Sequence, residues 1–274
     1  MTGQDYTAWI GRQEIASPDQ ISPRLIDSYV TTLAPFLAEA PVAPGLHWCL
    51  CPQITPMSGL GADGHAAKGG FLPPIPLPRR MWAGGEVTFL EPLLPDDPVQ
   101  KISTIREILW KTGRTGALCF VAVEHDYRTP RGVAIREIQN LVYRPAATAS
   151  APVSAPSAVQ HFDREWQVPI DPVLLFRYSA VTFNGHRIHY DQGYARQVEH
   201  YAGLVIHGPL QATLMLNLAA VHRQALPRRF RYRGINPAAG SQVLRIGLQE
   251  DDAQMQLAVL SEAGVLTMQG EAVW

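Results

Sequence analysis

Apolar positions in the second half of the chain follow two patterns in succession. Residues 209–222 are apolar almost all round, which predicts a helix buried on most sides. Pro209 suits the first helical position, because the N–H that proline lacks would have no partner there. Runs of strand length with partial alternation follow, separated by Gly, Asn, Pro or Asp. These predicted strands cover 228–235, 241–251, 253–262 and 265–274.

The first half repeats this order of elements. A helix is predicted over 25–34, where Pro35 stops or kinks it. Strands are predicted after it, over 85–93, 99–113, 117–127 and 133–144. A helix followed by antiparallel strands, occurring twice, is typical of an α+β protein with a structural duplication. One helix wrapped by an antiparallel sheet is the hotdog arrangement. We therefore expect a double hotdog, with two helix-wrapped antiparallel sheets in one chain.

A segment of small residues and proline separates the two halves. Residues 146–158 read AATASAPVSAPSA and offer nothing large to bury and nothing charged. Such a composition is typical of a partly extended tether. We predict a degenerate first hotdog over 1–145 that opens room for a bound molecule, a linker over 146–160, and a second hotdog over 161–274.

Charge and cysteine usage narrow the class of protein. The 274 residues include 23 Lys and Arg against 24 Asp and Glu, so the net charge is -1. This balance shows no excess of basic residues that would attract nucleic acid or an anionic membrane. No run approaches the roughly 20 apolar residues of a membrane helix. Cys49, Cys51 and Cys119 lack metal-site spacing, and the first residues lack signal-peptide features. We expect a soluble cytoplasmic protein.

Two short strings carry candidate chemistry. FNGHRIHYD at 183–191 offers an amide and two imidazoles, and HGPLQATLML at 207–216 opens the predicted helix. A neutral imidazole can accept a proton, whereas the amide of Asn184 can hold a water or a substrate oxygen but cannot carry a proton away. The N–H of Gly208 lies near a helix N-terminus, which favours negative charge. The combination suits addition of water to an α,β-unsaturated carbonyl compound, whose enolate oxygen the N–H groups would stabilise.

These strings resemble a known enzyme family. NGHRIH at 184–189 resembles the D-x-N-P-x-H motif of the MaoC-like (R)-specific enoyl-thioester hydratases, and VIHG at 205–208 resembles their His-Gly step. Three first-half strings look like the mesaconyl-CoA and itaconyl-CoA hydratases, relatives of the hydroxyacyl-thioester dehydratase type 2 proteins. They are DGH at 63–65, GFLPP at 70–74 and LPRRMWAGG at 77–85. The resemblance extends over about residues 5–270.

The resemblance implies a role for each matching residue. His189 matches the catalytic histidine of the family, and Gly208 matches the glycine whose N–H faces the thioester carbonyl. Asn184 stands where the broader family has its catalytic aspartate, five residues before the histidine. Without that carboxylate, His189 must act more nearly alone through water, or His186 must contribute. His186 occupies the position of the family's asparagine, so its contribution is our inference.

Simpler interpretations stand beside these roles. His186 and His189 have the spacing of half a metal site, but no Asp, Glu or Cys lies at a third ligand spacing, and we predict no metal. His207 either contacts the substrate or, as we favour, caps or packs the turn. Asp191 either joins the chemistry or, as we favour, pairs with a neighbour or caps a helix from Gln192.

The proline-rich string at 71–80 is predicted to be a loop, acting either as a rigid lid or as a ligand for a partner. Arg79 and Arg80 end it. Either guanidinium would suit a substrate carboxylate. The alternatives are a surface pair or a contact to the phosphates of coenzyme A. Trp82 and Trp48 either line an acyl pocket or belong to the core.

We therefore predict a hydro-lyase, an enoyl-CoA hydratase for a branched dicarboxylic thioester of the mesaconyl-CoA or itaconyl-CoA type. No cofactor is expected, because addition of water involves no net redox change. The alternatives are a 3-hydroxyacyl-[acyl carrier protein] dehydratase, a non-catalytic acyl-CoA-binding protein and, less favoured, a thioesterase. The sequence leaves open whether two chains pair as a homodimer.

Overall fold

The computed structural model describes residues 5–113, 116–146, 155–157, 161–251 and 254–274. The α-helices are α1 (Pro23–Leu33), α2 (Pro172–Val181), α3 (Gln192–Gln197) and α4 (Gly208–Arg223). The first-half strands are β1 (Gln13–Ile15), β2 (Asp19–Gln20), β3 (Arg79–Phe89), β4 (Pro98–Gly113), β5 (Gly116–Thr129) and β6 (Gly132–Arg144). The second-half strands are β7 (Arg164–Ile170), β8 (Arg229–Gly234), β9 (Gln242–Asp251), β10 (Gln254–Leu260) and β11 (Leu266–Val273).

The described strands form one antiparallel sheet that runs through both halves. Its order is β1-β4-β5-β6-β3-β8-β11-β10-β9-β7, and β2 pairs with β4 off this path. The halves meet where β3 pairs with β8, with Gly85 opposite Tyr232 and Thr88 opposite Arg229. The α+β class is confirmed. The two expected sheets are joined edge to edge, because each half leaves one strand edge free to pair with the other.

Helix α4 is the buried helix of the second half, as the apolar run predicts. It begins at Gly208, one residue before the predicted start at Pro209, and ends at Arg223, which is followed by Gln224 in the left-handed conformation. Every residue from 210 to 220 is buried. The helix packs against the second-half strands and against β3. The core therefore surrounds α4 and fixes the place of its N-terminus.

The first half departs from this plan. Helix α1 confirms the prediction over 25–34, but it packs against α2. A short 3-10 turn, Leu46–Cys49, approaches the first-half strands instead. Its His47 ring lies 5.4 Å from the ring of Tyr127 and 6.1 Å from that of Phe89. Among the described first-half residues α1 is the one α-helix, and the degenerate first hotdog stays a prediction.

Several boundaries differ from the sequence-based expectation. Strand β3 begins at Arg79, so the predicted loop at 71–80 is wrong over its last two residues, and both arginines lie on a strand. Strands β1, β2 and β7 and helix α2 were not predicted. The other predicted strands are present. Most of the predicted linker lies outside the described residues, and that division into domains stays a prediction.

All three cysteines are buried and unpaired. No helix in the described part of the chain is long and apolar enough to cross a membrane.

Candidate active site

A cavity of about 550 Å³ lies where the two halves meet. It is bounded by the N-terminus of α4, the turn after α2, the start of β3 and the loop around Asp63. Seven of the eight predicted site residues line it: Arg79, Arg80, Trp82, Asn184, His186, His189 and Gly208. His207 is not among the lining residues and is completely buried. Strings distant in sequence therefore converge on one pocket.

The turn after α2 is held in shape by Asn184. The side-chain oxygen of Asn184 accepts the backbone N–H of His186 at 3.0 Å. The backbone N–H of Asn184 donates to the carbonyl of Ser179 at 2.8 Å. This is the local side-chain-to-backbone bonding by which asparagine stabilises turns. The amide oxygen is thus occupied by the turn itself, which leaves the amide N–H₂ group for the cavity.

His189 has a fixed tautomer. Its Nδ1 lies 2.7 Å from the carbonyl oxygen of Val205. A carbonyl oxygen can only accept, so Nδ1 carries the proton and Nε2 is left as an acceptor. Burial lowers the pKa of His189 to about 4, against the opposing effect of the Val205 hydrogen bond. The imidazole is therefore neutral at physiological pH and can take a proton at Nε2.

His207 supports His189 from the side away from the cavity. The two rings stack with centroids 3.6 Å apart. The Nε2 of His207 lies 2.8 Å from the hydroxyl of Ser179. Burial, followed by the neighbouring histidines, lowers the pKa of His207 well below its ordinary value. This placement agrees with the packing role that we favour for His207, while its assignment as a substrate contact finds no support in the geometry.

Gly208 stands at the N-terminus of α4, where the first N–H groups have no partner within the helix. A Cβ added to it would lie 2.5 Å from Cε3 of Trp82. The ring of Trp82 stacks on that of Tyr232, with centroids 4.4 Å apart. Only a residue without a side chain fits here, and the helix dipole adds to the attraction for a developing negative charge.

A first-half loop joins the histidines of the second half. The backbone N–H of Arg187 donates to the carbonyl of Asp63 at 2.9 Å. A Cβ on Gly64, which has a φ of 88°, would lie 2.0 Å from the carbonyl oxygen of Gly185. In the same loop Oδ2 of Asp63 lies 2.9 Å from Nδ1 of His65. From the sequence these residues carried only a resemblance, and their chemistry was not predicted. The Asp-Gly-His string was the available signal.

Three histidines therefore follow one another beside the cavity, and His207 stacks behind the last of them, His189. The ring of His65 lies 4.1 Å from that of His186, which lies 5.4 Å from that of His189. Burial and the neighbouring His65 lower the pKa of His186 to about 2. Ligand-type atoms of Asp63, His65 and His186 lie within 4.8 Å of one another and could hold a metal ion. This group was not predicted from the sequence, because its first-half members lie more than a hundred residues from His186.

The arginines of β3 differ in their partners. Nε of Arg79 lies 2.5 Å from a carboxylate oxygen of Glu199, and its Nη2 donates to the hydroxyl of Tyr201 at 2.7 Å. Within the described chain, neither Arg80 nor Arg144 forms an ion pair with a carboxylate, and both line the cavity. Arg80 and Arg144 are therefore the cations that remain for a substrate anion. Arg144 was not predicted, because it lies at the far end of β6.

Residues 45–239 match the model of the hydroxyacyl-thioester dehydratase type 2 family. The chain belongs to this family. It is 41% identical over 244 residues to the mesaconyl-C(4)-CoA hydratase of Chloroflexus aurantiacus, and the alignment covers 86% of each chain. The resemblance inferred from the site strings is thereby confirmed, and it extends well beyond those strings.

Solved structures place this member of the type 2 family in a wider fold group. A MaoC-like dehydratase from Phytophthora capsici matches with a TM-score of 0.68 at 13% identity, over 96% of this chain and 95% of its own. A Mycobacterium tuberculosis protein with a double hotdog fold matches with a TM-score of 0.56 at 13% identity, over 96% of each chain. These likenesses show the double hotdog fold, which confirms the predicted architecture. The family and its relatives are named as hydratases and dehydratases, so the chain is a hydro-lyase, as predicted.

Proposed function

We propose that the protein adds water to the double bond of an α,β-unsaturated coenzyme A thioester that carries a second, free carboxylate. The observation that carries the proposal is the shared cavity, which holds the unprotonated Nε2 of His189, the N-terminus of α4 and two cations without carboxylate partners. The similarity to the mesaconyl-C(4)-CoA hydratase favours a branched four-carbon-chain dicarboxylic acyl group of the mesaconyl or itaconyl type.

The acid–base chemistry falls to His189. Hydration breaks an O–H bond of water, forms a C–O bond at Cβ and places a proton on Cα. A neutral imidazole with a fixed tautomer can exchange the proton with the substrate, which typically accelerates a reaction by roughly 100- to 10,000-fold. The Val205 carbonyl and the stacked ring of His207 hold the imidazole in place for this transfer.

The N-terminus of α4 would stabilise the enolate. As oxygen bonds to Cβ, the electron pair of the double bond moves onto the thioester carbonyl oxygen. The N–H of Gly208 has no partner within the helix and can donate to that oxygen. A single donor of this kind is worth about 3 kcal/mol in other enzymes. The close contact with Trp82 sets the position of the N–H relative to the cavity.

Arg80 is the proposed partner of the free carboxylate. A guanidinium binds a carboxylate through two parallel hydrogen bonds. Arg80 lies in the cavity, whereas the guanidinium of Arg79 already bonds Glu199 and Tyr201. Arg144 is the second candidate, since it pairs across the sheet with Arg79 at the start of β3. A contact of either arginine with the phosphates of coenzyme A is the competing role.

A second candidate is the dehydration of a 3-hydroxyacyl group on an acyl carrier protein. The matching family model, named for dehydration of hydroxyacyl thioesters, favours it. The same residues would run the reaction in the opposite direction. A long acyl chain, however, would leave the cationic side of the cavity without a function.

The test is to supply mesaconyl-C(4)-CoA, itaconyl-CoA and crotonyl-CoA in turn and to follow the enoyl-thioester absorbance together with product masses. We expect gain of one water by a dicarboxylic thioester, and loss of this turnover with His189→Ala. Turnover of crotonyl-CoA alone would retain the chemistry and refute the dicarboxylate. Release of free coenzyme A would indicate a thioesterase. Binding without turnover would indicate the carrier-protein dehydratase, tested with a 3-hydroxyacyl carrier protein, or a binding protein.

A further inference from the structure

Within the described residues of the second half, no carboxylate that lines the cavity is free to act in proton transfer. Asn184 stands where the resemblance places an aspartate, and the carboxylate of Asp191 already has two other partners. The carboxylate of Asp191 lies 2.7 Å from Nη2 of Arg187 and accepts the N–H of Tyr194 at 2.9 Å as the cap of α3. Among the residues that line the cavity, the carboxylates are Asp63 and Glu199, and Glu199 is bound to an arginine. Asp63 is therefore the remaining candidate.

Asp63 directs both carboxylate oxygens at His65. Oδ1 accepts the backbone N–H of His65 at 3.1 Å, and Oδ2 lies 2.9 Å from its Nδ1. A carboxylate can only accept, so Nδ1 carries the proton and Nε2 becomes the basic atom of the ring. This is the arrangement in which a carboxylate orients an imidazole and stabilises the imidazolium that forms during proton transfer. His65 itself lines the cavity.

The contact between the two loops fixes this pair relative to the other histidines. The backbones of Gly64 and Gly185 touch so closely that neither residue has room for a Cβ. Arg187 reinforces the contact, because its side chain donates to the carbonyl of Ala62 at 3.0 Å. The ring of His186 then lies between those of His65 and His189. Such rigid support is what a proton-transfer group requires.

We propose that Asp63 and His65 replace the carboxylate missing at Asn184, with His65 as a second catalytic residue and Asp63 as its positioning residue. This inference rests on the proposed hydratase function. It assigns the chemistry of the site to both halves of the chain, so the degenerate first half contributes an acid–base group as well as space for the acyl group.

The proton would move from His65 to His189 in the course of the reaction. In hydration, Nε2 of His65 takes a proton from water as the oxygen bonds to Cβ, and the electron pair of the double bond moves onto the thioester oxygen. Asp63 stabilises the imidazolium. No hydrogen bond joins the described imidazoles directly, so the proton passes through water in the cavity to Nε2 of His189, which delivers it to Cα as the carbonyl re-forms. One water is consumed and every imidazole returns to its neutral form. Dehydration follows the reverse path.

The test separates the two ends of this path. Asp63→Asn and His65→Gln are expected to lower kcat about 100-fold with little change in KM, because a general acid–base group is lost while the binding surface stays. Exchange of the Cα proton of the hydrated product in heavy water should persist in both variants, since His189 performs it. His189→Ala should lose turnover and exchange together. Asp27→Asn is the matched control, an exposed carboxylate of α1 outside the cavity, and should retain wild-type kcat.

A rescue variant tests the replacement itself. Asn184→Asp, added to Asp63→Asn, should restore kcat at least about 10-fold, because it returns a carboxylate to the family's position. Thermal unfolding of each variant verifies the fold. The inference is overturned if Asp63→Asn and His65→Gln keep wild-type kcat, if turnover and exchange fall together, or if the added aspartate restores nothing. A stoichiometric metal ion whose removal by a chelator abolishes turnover would also overturn it, since Asp63 and His65 would then be ligands.

Failure of the inference about Asp63 and His65 gives a different result from failure of the proposed hydratase function. If the wild-type protein hydrates none of the thioesters, the hydratase proposal itself fails. If the wild type turns over and His189→Ala does not, while Asp63→Asn is as active as the wild type, only the role of the first-half pair is refuted.

Discussion

Replacing Gly208 with alanine adds one methyl group at the tightest contact of the site. The new Cβ would lie 2.5 Å from Cε3 and 3.0 Å from Cζ3 of Trp82. Carbon atoms in contact prefer about 3.5 to 4.0 Å, so one of the two partners must move by about 1 Å. The contact involves the indole ring itself, with no flexible side-chain end to swing aside.

Trp82 has little freedom to move. Its ring stacks on Tyr232 at 4.4 Å and meets the edge of Trp48 at 6.1 Å. Tyr232 is held in turn by a 2.6 Å hydrogen bond from its hydroxyl to the buried carboxyl of Glu137. We therefore expect the start of α4 to shift away from Trp82 and to carry its N–H with it.

The expected loss follows from that shift. A displacement of about 1 Å in a catalytic donor costs about 100-fold in rate, and loss of the donor costs about 3 kcal/mol of barrier. Overpacking should also cost about 1 to 3 kcal/mol of stability. The assay is kcat and KM with mesaconyl-C(4)-CoA, together with thermal unfolding. Gly193→Ala is the matched control, because its Cβ would meet its nearest atom at an ordinary 3.4 Å. A Gly208→Ala variant with wild-type kcat would refute the role of this N–H.

The remaining expectations concern binding, pH and the core. Arg80→Ala should raise KM for a dicarboxylic thioester by about 10- to 100-fold and leave crotonyl-CoA unaffected, because one charge-assisted bidentate contact is lost; equal effects on both substrates would contradict it. Burial lowers the pKa of His47 and His125 to about 3 in the folded protein. On acidification, the unfolded chain therefore takes up protons at these histidines at a higher pH than the folded protein does. Stability in urea should therefore fall as pH drops below about 6.5, and a flat profile would argue against it. Leu214→Ala should cost about 2 to 5 kcal/mol in urea, whereas exposed Phe176→Ala should cost little; equal losses would refute the assigned core.

The sequence pattern predicted the fold where local periodicity and burial agree. Helix α4 is buried all round, and its apolar run and Pro209 marked it clearly. Strand β7 was missed although Trp166, Val168 and Ile170 alternate with exposed residues, because Pro169 within the run argues against a strand. The start of β3 was missed because the prolines of 73–78 indicated a loop, and pairing with β6 then takes over.

The site was predictable only along the strings that lie close in sequence. His189 and Gly208 stand on matching motifs, and the helix start explains the chemistry of Gly208. The pairing of Arg79 with Glu199 depends on loops brought together by the fold. The approach of Asp63 and His65 to the second-half histidines depends on the backbone contact between two glycine turns, which no spacing along the chain encodes.

The most direct test of the account is hydration of mesaconyl-C(4)-CoA in water enriched in heavy oxygen, with wild-type protein and with His189→Gln. The account expects one labelled oxygen in the acyl group of the intact thioester, and a loss of at least about 100-fold in the variant. Label appearing only in a released free acid, or an equal rate of hydration in the variant, would contradict it.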